Sequence, residues 1–452
     1  MSEILNKIMY SLKQSEAKTL ADASGSVNGN VNEKDTAGAS YLYKKEGLES
    51  TVCEIRFKDK VSGSALNRAL LTSLKRYPYI NTKVVENGGN YFFVQNPNSM
   101  TAVKSKVLRS LGTMTTGYHL VDVTYCEKSV FVAFHHGLCD GRGIKPFIET
   151  LIYYYSIEKF KSAASSEGIR LAEEALLEGE TIDPFKSFYQ LSNQAVEKID
   201  GNGFTLPEIN AEPSGEEGDV RFELEIDAKD YMKVVKDCGA TPGIMTILLT
   251  TKAISNLNKK RNLPINGKLA CDMRAALGCE NTFKNCVTTL NFPFTNDMED
   301  MPVRNQVKKL RDLMDTQKSE DYLKGNANSI VGLYKKLNER GGYKEKVEMM
   351  AFLDGMQVDT YVISYLGKFV LNENEQYIDS IHLYNSGAKG LGLNMVALED
   401  KFIIDIKQTF KDDKYVKKLV EEFNALNVKC TCSRAIAFST PKGFVNKYGL
   451  TA

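Results

Sequence analysis

Histidine is scarce in this chain, with four among 452 residues, and two of the four are adjacent in His135-His136-Gly137-Leu138-Cys139-Asp140-Gly141. The preceding run, Val130-Phe131-Val132-Ala133-Phe134, is continuously apolar and reads as a buried strand that ends at the histidine pair. Successive strand residues face opposite sides, so the two rings serve different purposes: one enters a cavity, the other packs or hydrogen-bonds. Gly137 and Gly141 free the backbone to turn sharply and let another molecule approach closely. Asp140, four positions after His136, can fold back to fix the turn or pair with a distant arginine. An imidazole with an ordinary pKa of about 6.5 takes a proton at neutral pH and returns it. That suits a base which activates a hydroxyl, amine or thiol for attack on an acyl carbon. Residue types alone leave a purely structural pair equally open. Cys139, three residues after His136, leaves a cysteine nucleophile as a lesser alternative.

The elements that must position this loop follow from hydrophobic periodicity. Residues 51–57 alternate as a half-buried strand. After a turn at Ser62-Gly63-Ser64, residues 65–76 read as a helix with Ser64 as N-cap and Leu66, Ala69, Leu70 and Leu74 as its apolar stripe, stopped by Pro78. Residues 81–86 and 91–95 flank Asn87-Gly88-Gly89-Asn90, a hairpin signal. Strands at 119–125 and 130–135 lead through Gly141-Arg142-Gly143 into a helix over 144–159. Later strands are expected at 220–226, 268–273, 287–293, 361–366, 378–384, 392–396 and 402–407, and helices at 244–258, 304–317 and 412–426. The chain thus divides into a flexible lead-in (1–40), an N-terminal half (41–160), an acidic, proline-interrupted connection (161–218) and a C-terminal half (219–452). Both halves mix strands and helices, and no short tandem repeat is present.

Bulk composition narrows the function classes. Hydrophobic residues make up 42% and charged residues 25%, a globular balance. The length predicts two or three units of domain size. A formal charge of +1 gives no broad field to draw in nucleic acid or an anionic membrane, so any binding site is local. No stretch has the length and apolarity of a membrane span, and the N-terminus lacks a secretory signal. Nine scattered cysteines, an odd count, point to reduced thiols and a cytoplasmic location. Cys430-Thr431-Cys432 is too sparse for a zinc site, so no metal is expected. His119 and His382 read as satisfied strand residues.

The seven-residue loop resembles the HHxxxDG signature of the superfamily that holds chloramphenicol acetyltransferase, alcohol acetyltransferases, plant acyl-CoA acyltransferases and the condensation domains of nonribosomal peptide synthetases. Residues 66–85, with Arg76-Tyr77-Pro78 at a turn, resemble that family's first helix and strand. Asp272-Met273-Arg274 followed by Asn285 resembles a second-half segment with an arginine on a strand and an asparagine beyond it. Ser364-Tyr365-Leu366-Gly367 and Tyr384-Asn385-Ser386-Gly387 resemble late strands that flank the family's tunnel. The likeness runs from about residue 41 to the C-terminus and is nearest to stand-alone alcohol-acetyltransferase-like members. The plant-type DFGWG motif is absent, and the chain has no tryptophan.

The resemblance implies an α/β fold of two chloramphenicol-acetyltransferase-like halves forming a V, with a tunnel between them. It implies His136 as the general base, His135 as a packing residue, Gly141 keeping the channel clear, and Asp140 as a structural residue whose partner is expected to be Arg274. Ser386, Ser364 and Asn285, in that order, are candidates for stabilising the tetrahedral intermediate. Lys389, in a glycine-rich turn, is a candidate contact for a coenzyme A phosphate. The expected reaction is acyl transfer from acyl-CoA, as co-substrate with no bound cofactor, to a small hydroxyl or amine acceptor. Two alternatives stay open: a condensation enzyme drawing on a carrier-protein thioester, which a chain without adenylation or carrier segments disfavours, and a non-catalytic scaffold of the same fold.

Overall fold

A computed structural model describes residues 33–44, 50–87, 90–190, 202–211, 219–356, 359–385 and 390–438. The N-terminal half is built on strands β1 (Glu33–Lys34), β2 (Ser50–Phe57), β3 (Thr82–Asn87), β4 (Asn90–Gln95), β5 (Val103–Lys104), β6 (Val121–Cys126) and β7 (Ser129–His135). Two long helices, α1 (Gly63–Arg76) and α2 (Gly141–Phe160), accompany them. The described residues begin at Glu33, inside the stretch expected to be a lead-in. Residues 33–34 add a third strand to the β3–β4 hairpin, and a 3-10 segment, Ala37–Tyr43, follows. Helix α1 is capped by Ser62, whose Oγ accepts from the Ala65 amide, and not by Ser64. Its stripe of Leu66, Ala69 and Leu70 and the Ile144, Phe147, Ile148 and Leu151 face of α2 pack on Cys53, Ile55, Val132 and Phe134 of the sheet. Alternation along β2 and β7 sends these residues to one face and leaves Glu54, Arg56 and Phe131 on the other.

The C-terminal half carries β8 (Asp219–Asp227), β9 (Ile265–Asp272), β10 (Val287–Phe294), β11 (Tyr361–Lys368), β12 (Ile378–Asn385), β13 (Leu391–Ala397), β14 (Lys401–Gln408), β15 (Cys430–Cys432) and β16 (Ile436–Phe438). Its longer helices are α3 (Ala228–Asp237), α4 (Pro242–Leu257), α5 (Val303–Gln317), α6 (Glu320–Asn338), α7 (Tyr343–Met356) and α8 (Lys414–Ala425). The large sheet runs β10-β9-β11-β13-β14-β8-β15, with β16 also on β8; β11 is parallel to both neighbours and the other pairs are antiparallel. Helix α4, capped by Thr241 with Pro242 at its first position, is buried nearly all round against this sheet and α8. Among the described residues, 161–218 holds only a 3-10 turn and a five-residue helix.

The halves interlock. Strand β12 leaves the C-terminal half and pairs with β2, giving the N-terminal sheet the order β12-β2-β7-β6-β5. Where the polar face of that sheet meets β8 and β14, Arg56 bridges Glu54 and Glu223, with Nε–Oε1 of Glu54 at 2.7 Å. Arg221 meets Glu223 at 2.8 Å and lies over the Tyr384 ring at 3.8 Å. Asp405 accepts from His382 Nδ1 (3.1 Å) and the Leu383 amide. Burial raises the Glu54 carboxyl, but Arg56 and Arg221 outweigh it and hold the group at about 2. Glu223, His382 and Asp405 bring ligand-type atoms within 4.8 Å of one another. The guanidinium groups of Arg56 and Arg221 pair with those carboxylates.

Candidate active site

The histidine loop leaves β7 at the junction of the halves. His135 is fully buried, and its Nδ1 accepts the Gly137 amide at 2.9 Å, which folds the chain back directly after the strand. A Cβ on Gly137 would lie 3.0 Å from both that nitrogen and the Leu42 side chain, so a larger residue there fits only if Leu42 shifts. The chain then enters α2, which begins at Gly141, three residues before the helix expected at 144.

Asp140 is the N-cap of α2 and both of its expected uses occur together. Oδ1 accepts from the Gly143 amide (2.8 Å) and from Arg274 Nη2 (2.8 Å), while Oδ2 accepts from the Cys286 amide (2.8 Å). Arg274 is not on a strand: it opens the helical turn Arg274–Leu277 after β9. From there its guanidinium also reaches Asp272 Oδ1 and the carbonyls of Thr282 and Lys284, each at 2.8 Å. A nearly sealed cation is thus held by two carboxylates, and Asp140 fastens the histidine loop of one half to residues 272–286 of the other. The joint is close. A Cβ on Gly143 would fall 1.8 Å from the Phe283 carbonyl oxygen, whereas one on Gly141 would only crowd Leu366.

His136 itself is half-buried. Its ring stacks on that of Tyr41, centroids 4.7 Å apart and planes at 23°, and touches Phe134 at 5.9 Å. Nδ1 is buried and has no hydrogen-bond partner among the described residues. Desolvation lowers the imidazole to about 4; Asp140 opposes this and the Lys44 ammonium assists it. The ring is therefore neutral across the neutral pH range. Cys139 is completely buried, and desolvation raises its thiol far above the range in which a thiolate forms, with Asp140 adding to the effect.

Asn285 Nδ2 donates to the backbone carbonyls of His136 (3.1 Å) and Gly38 (3.2 Å). Both amide hydrogens are committed, so Asn285 braces the loop and has no donor left for an oxyanion. Ser364 is a half-buried residue of β11 two places before Leu366, the side chain nearest Gly141. Ser386 and Lys389 lie outside the described residues. His119 is buried and bonded to Thr116, Asn81 and Asn98; His382 is bonded to Asp405 and Ser380.

Three features escaped sequence reasoning. Tyr41 is one. Another is Glu180, buried in the connecting segment, which pairs bidentately with Arg76 (3.0 and 2.8 Å) and accepts from Tyr79 (2.6 Å). The third is a small pocket beside Gly137 and Leu138, walled by Thr36, Tyr79, Phe93, Phe283 and Asn285. Phe283 stacks on Tyr79 at 4.1 Å, and its amide donates to the Glu180 carbonyl, so Glu180 shapes this wall.

No protein-family model matches the chain, and no curated protein matches it. Solved structures do. Polyketide synthase associated protein 5 from Mycobacterium tuberculosis superposes with a TM-score of 0.59 at 10% identity, covering 88% of this chain and 97% of that one. The fold is the condensation-domain fold. The first condensation domain of the CDA synthetase aligns at TM-score 0.57 and 11% identity, over 89% of this chain and 96% of its own. F. graminearum TRI101, solved with coenzyme A and T-2 mycotoxin, aligns at 0.53 and 12%, over 89% and 100%. Two mixed α/β lobes are thus an architecture this chain shares with condensation domains and with TRI101. Among the described residues, no helix is long and apolar enough to cross a membrane.

Proposed function

We propose that this protein transfers an acyl group from a thioester to a hydroxyl or amine acceptor, with His136 as general base. One observation carries the reading: a neutral imidazole, with Nδ1 sealed and unpartnered, sits on a loop clamped between the two lobes by Asp140. A sealed Nδ1 leaves Nε2 as the nitrogen open to an incoming acceptor. Nε2 takes the acceptor proton as the new bond forms at the acyl carbon, then returns it to the departing thiolate. His135 fixes the turn, Asp140 and Arg274 hold the loop, and Gly141 leaves room beside Leu366.

The donor we favour is acyl-CoA, as co-substrate, since TRI101, matched over nearly its whole chain, was solved with coenzyme A and with ethyl coenzyme A. The condensation domains in the same comparison support a second reading, a carrier-protein thioester. Purified protein given acetyl-CoA and a panel of small alcohols and amines is expected to release thiol, and His136→Ala is expected to abolish release while remaining folded. Turnover by the variant at the parent rate sinks the base assignment. Release from carrier-bound but not CoA thioesters selects the second reading. No release from either leaves a non-catalytic scaffold.

A further inference from the structure

Addition to a thioester builds a negative charge on the carbonyl oxygen, and that charge needs a donor already aimed at it. Asn285 has none to give. The segment Glu33–Lys44 offers one. It runs as a strap across the junction, held on both sides. The Asp35 amide donates to the Tyr91 carbonyl (2.8 Å) in the N-terminal half. Tyr334 of α6 donates to the Asp35 carbonyl, and Tyr343 of α7 to that of Leu42 (3.2 Å). The Ala37 amide donates to Tyr189 (2.9 Å), and Lys44 pairs with Asp354 of α7 at 2.7 Å. A Cβ on Gly38 would lie 2.7 Å from the Asn285 carbonyl oxygen, so the strap is pressed against the loop that braces His136.

Such anchoring leaves Tyr41 little freedom. Its ring lies on His136, and the Lys44 ammonium stands 5.4 Å from the ring centre. Its hydroxyl has no hydrogen-bond partner among the described residues, whereas the neighbouring Tyr43 donates to Asp35 (2.8 Å). A donor that is held in place and unused beside the base is what stabilisation of a developing charge requires.

We propose that the phenolic O–H of Tyr41 donates to the oxyanion of the tetrahedral intermediate beside His136; the inference rests on the acyl-transfer reading above. The acceptor's O–H or N–H bond breaks as its oxygen or nitrogen bonds to the thioester carbon, His136 takes the proton, and the carbonyl pair moves onto oxygen, where Tyr41 donates. The pair returns, the C–S bond breaks, and the thiolate recovers the proton from His136. Tyr41 keeps its own proton throughout. Burial raises its phenol above the ordinary value, which suits a donor that is never an acid.

The test is Tyr41→Phe, which removes one oxygen and preserves the stack, assayed by thiol release with acetyl-CoA or a carrier thioester. We expect kcat to fall by about 10²-fold or more with KM unchanged, against unaltered far-UV circular dichroism and melting. Ser364→Ala, the rival donor, is expected to leave kcat within about threefold. An active parent with a Tyr41→Phe variant of equal kcat overturns the donor assignment and spares the acyl-transfer reading. A collapse of kcat in Ser364→Ala alone also overturns it. A parent inert towards every thioester overturns the underlying reading, and the donor with it.

Discussion

Replacing Asp140 by asparagine separates a residue that holds the loop from one that takes part in chemistry. The carboxylate accepts three hydrogen bonds of 2.8 Å, from Gly143 N, Arg274 Nη2 and Cys286 N. An amide of the same shape keeps one oxygen. If that oxygen stays with Gly143 and Arg274, the new NH2 faces the Cys286 N–H, and a buried donor loses its acceptor at a cost of about 1–3 kcal/mol. Arg274 is meanwhile left with a neutral partner at Oδ1. Its charge is then balanced by Asp272 alone, which is a third exposed and already shared with Arg142. Weakening one charge-assisted bond adds about 1 kcal/mol. The sum predicts a loss of roughly 2–4 kcal/mol for Asp140→Asn and roughly 3–5 kcal/mol for Asp140→Ala, which takes all three hydrogen bonds and leaves the arginine to Asp272. The measurement is the urea midpoint by far-UV circular dichroism, with tyrosine emission as a second probe in a chain of 22 tyrosines and no tryptophan. Paired with Arg274→Met, a double-mutant cycle is expected to show coupling of about 1 kcal/mol or more. An unchanged midpoint together with a selective drop in rate refutes the argument and moves Asp140 into the chemistry.

His136 sets a pH dependence with a definite sign. Its folded-state value of about 4 lies below the ordinary 6.5, so its contribution is complete above about 6.5 and is lost as pH falls from there towards 4, up to roughly 3 kcal/mol. The acid limb of the rate profile is expected near 4, and a limb at 6.5 in the parent enzyme contradicts the desolvated site. Glu180→Ala removes the carboxylate from Arg76, both side chains being almost sealed, and is expected to cost about 3–5 kcal/mol in urea unfolding; a cost under about 1 kcal/mol means the pair is not closed in solution. Gly143→Ala drives a methyl into the Phe283 carbonyl and is expected to cost about 3 kcal/mol or more and to impair activity, while Gly141→Ala is expected to fold with a smaller loss. Equal stability of the two glycine variants rules out the close joint between α2 and residues 283–286.

What the sequence disclosed was local. The apolar run before His135, the glycines after it and the Asp140 cap are neighbours in the chain, and their consequences follow from strand alternation and helix capping. Strands 361–366, 392–396 and 402–407 were likewise plain from periodicity. Helices α6 and α7 were not. Gly325, Asn326, Asn328, Ser329 and Gly332 blur the α6 pattern, although Leu323, Ala327, Val331, Tyr334 and Leu337 form its buried stripe. Packing against the Ala37–Tyr43 strap and α7, and not propensity, fixes that helix. Glu180 was hidden by its setting, since an acid within a charged connecting segment reads as solvated until a buried arginine, 104 residues earlier, is seen to need it.

Tyr41 shows the limit most sharply. Nothing within ten residues of it hints at a histidine 95 positions on. Its placement comes from strap contacts with α6, α7 and Asn285, all in the C-terminal half, and from the short β1 pairing in the N-terminal half. His136 therefore belongs to one lobe in sequence but to three pieces in structure. The β7 loop supplies the imidazole, residues 272–286 immobilise it through Asp140 and Asn285, and the strap removes water from one face. Lowering the imidazole to about 4 needs the last of these, because desolvation is the largest cause and Asp140 alone would raise it. Removing the ring, by Tyr41→Ala, is then expected to return the acid limb towards 6.5, which Tyr41→Phe does not. An acid limb still near 4 in the alanine variant removes the strap from the list of groups that tune the base.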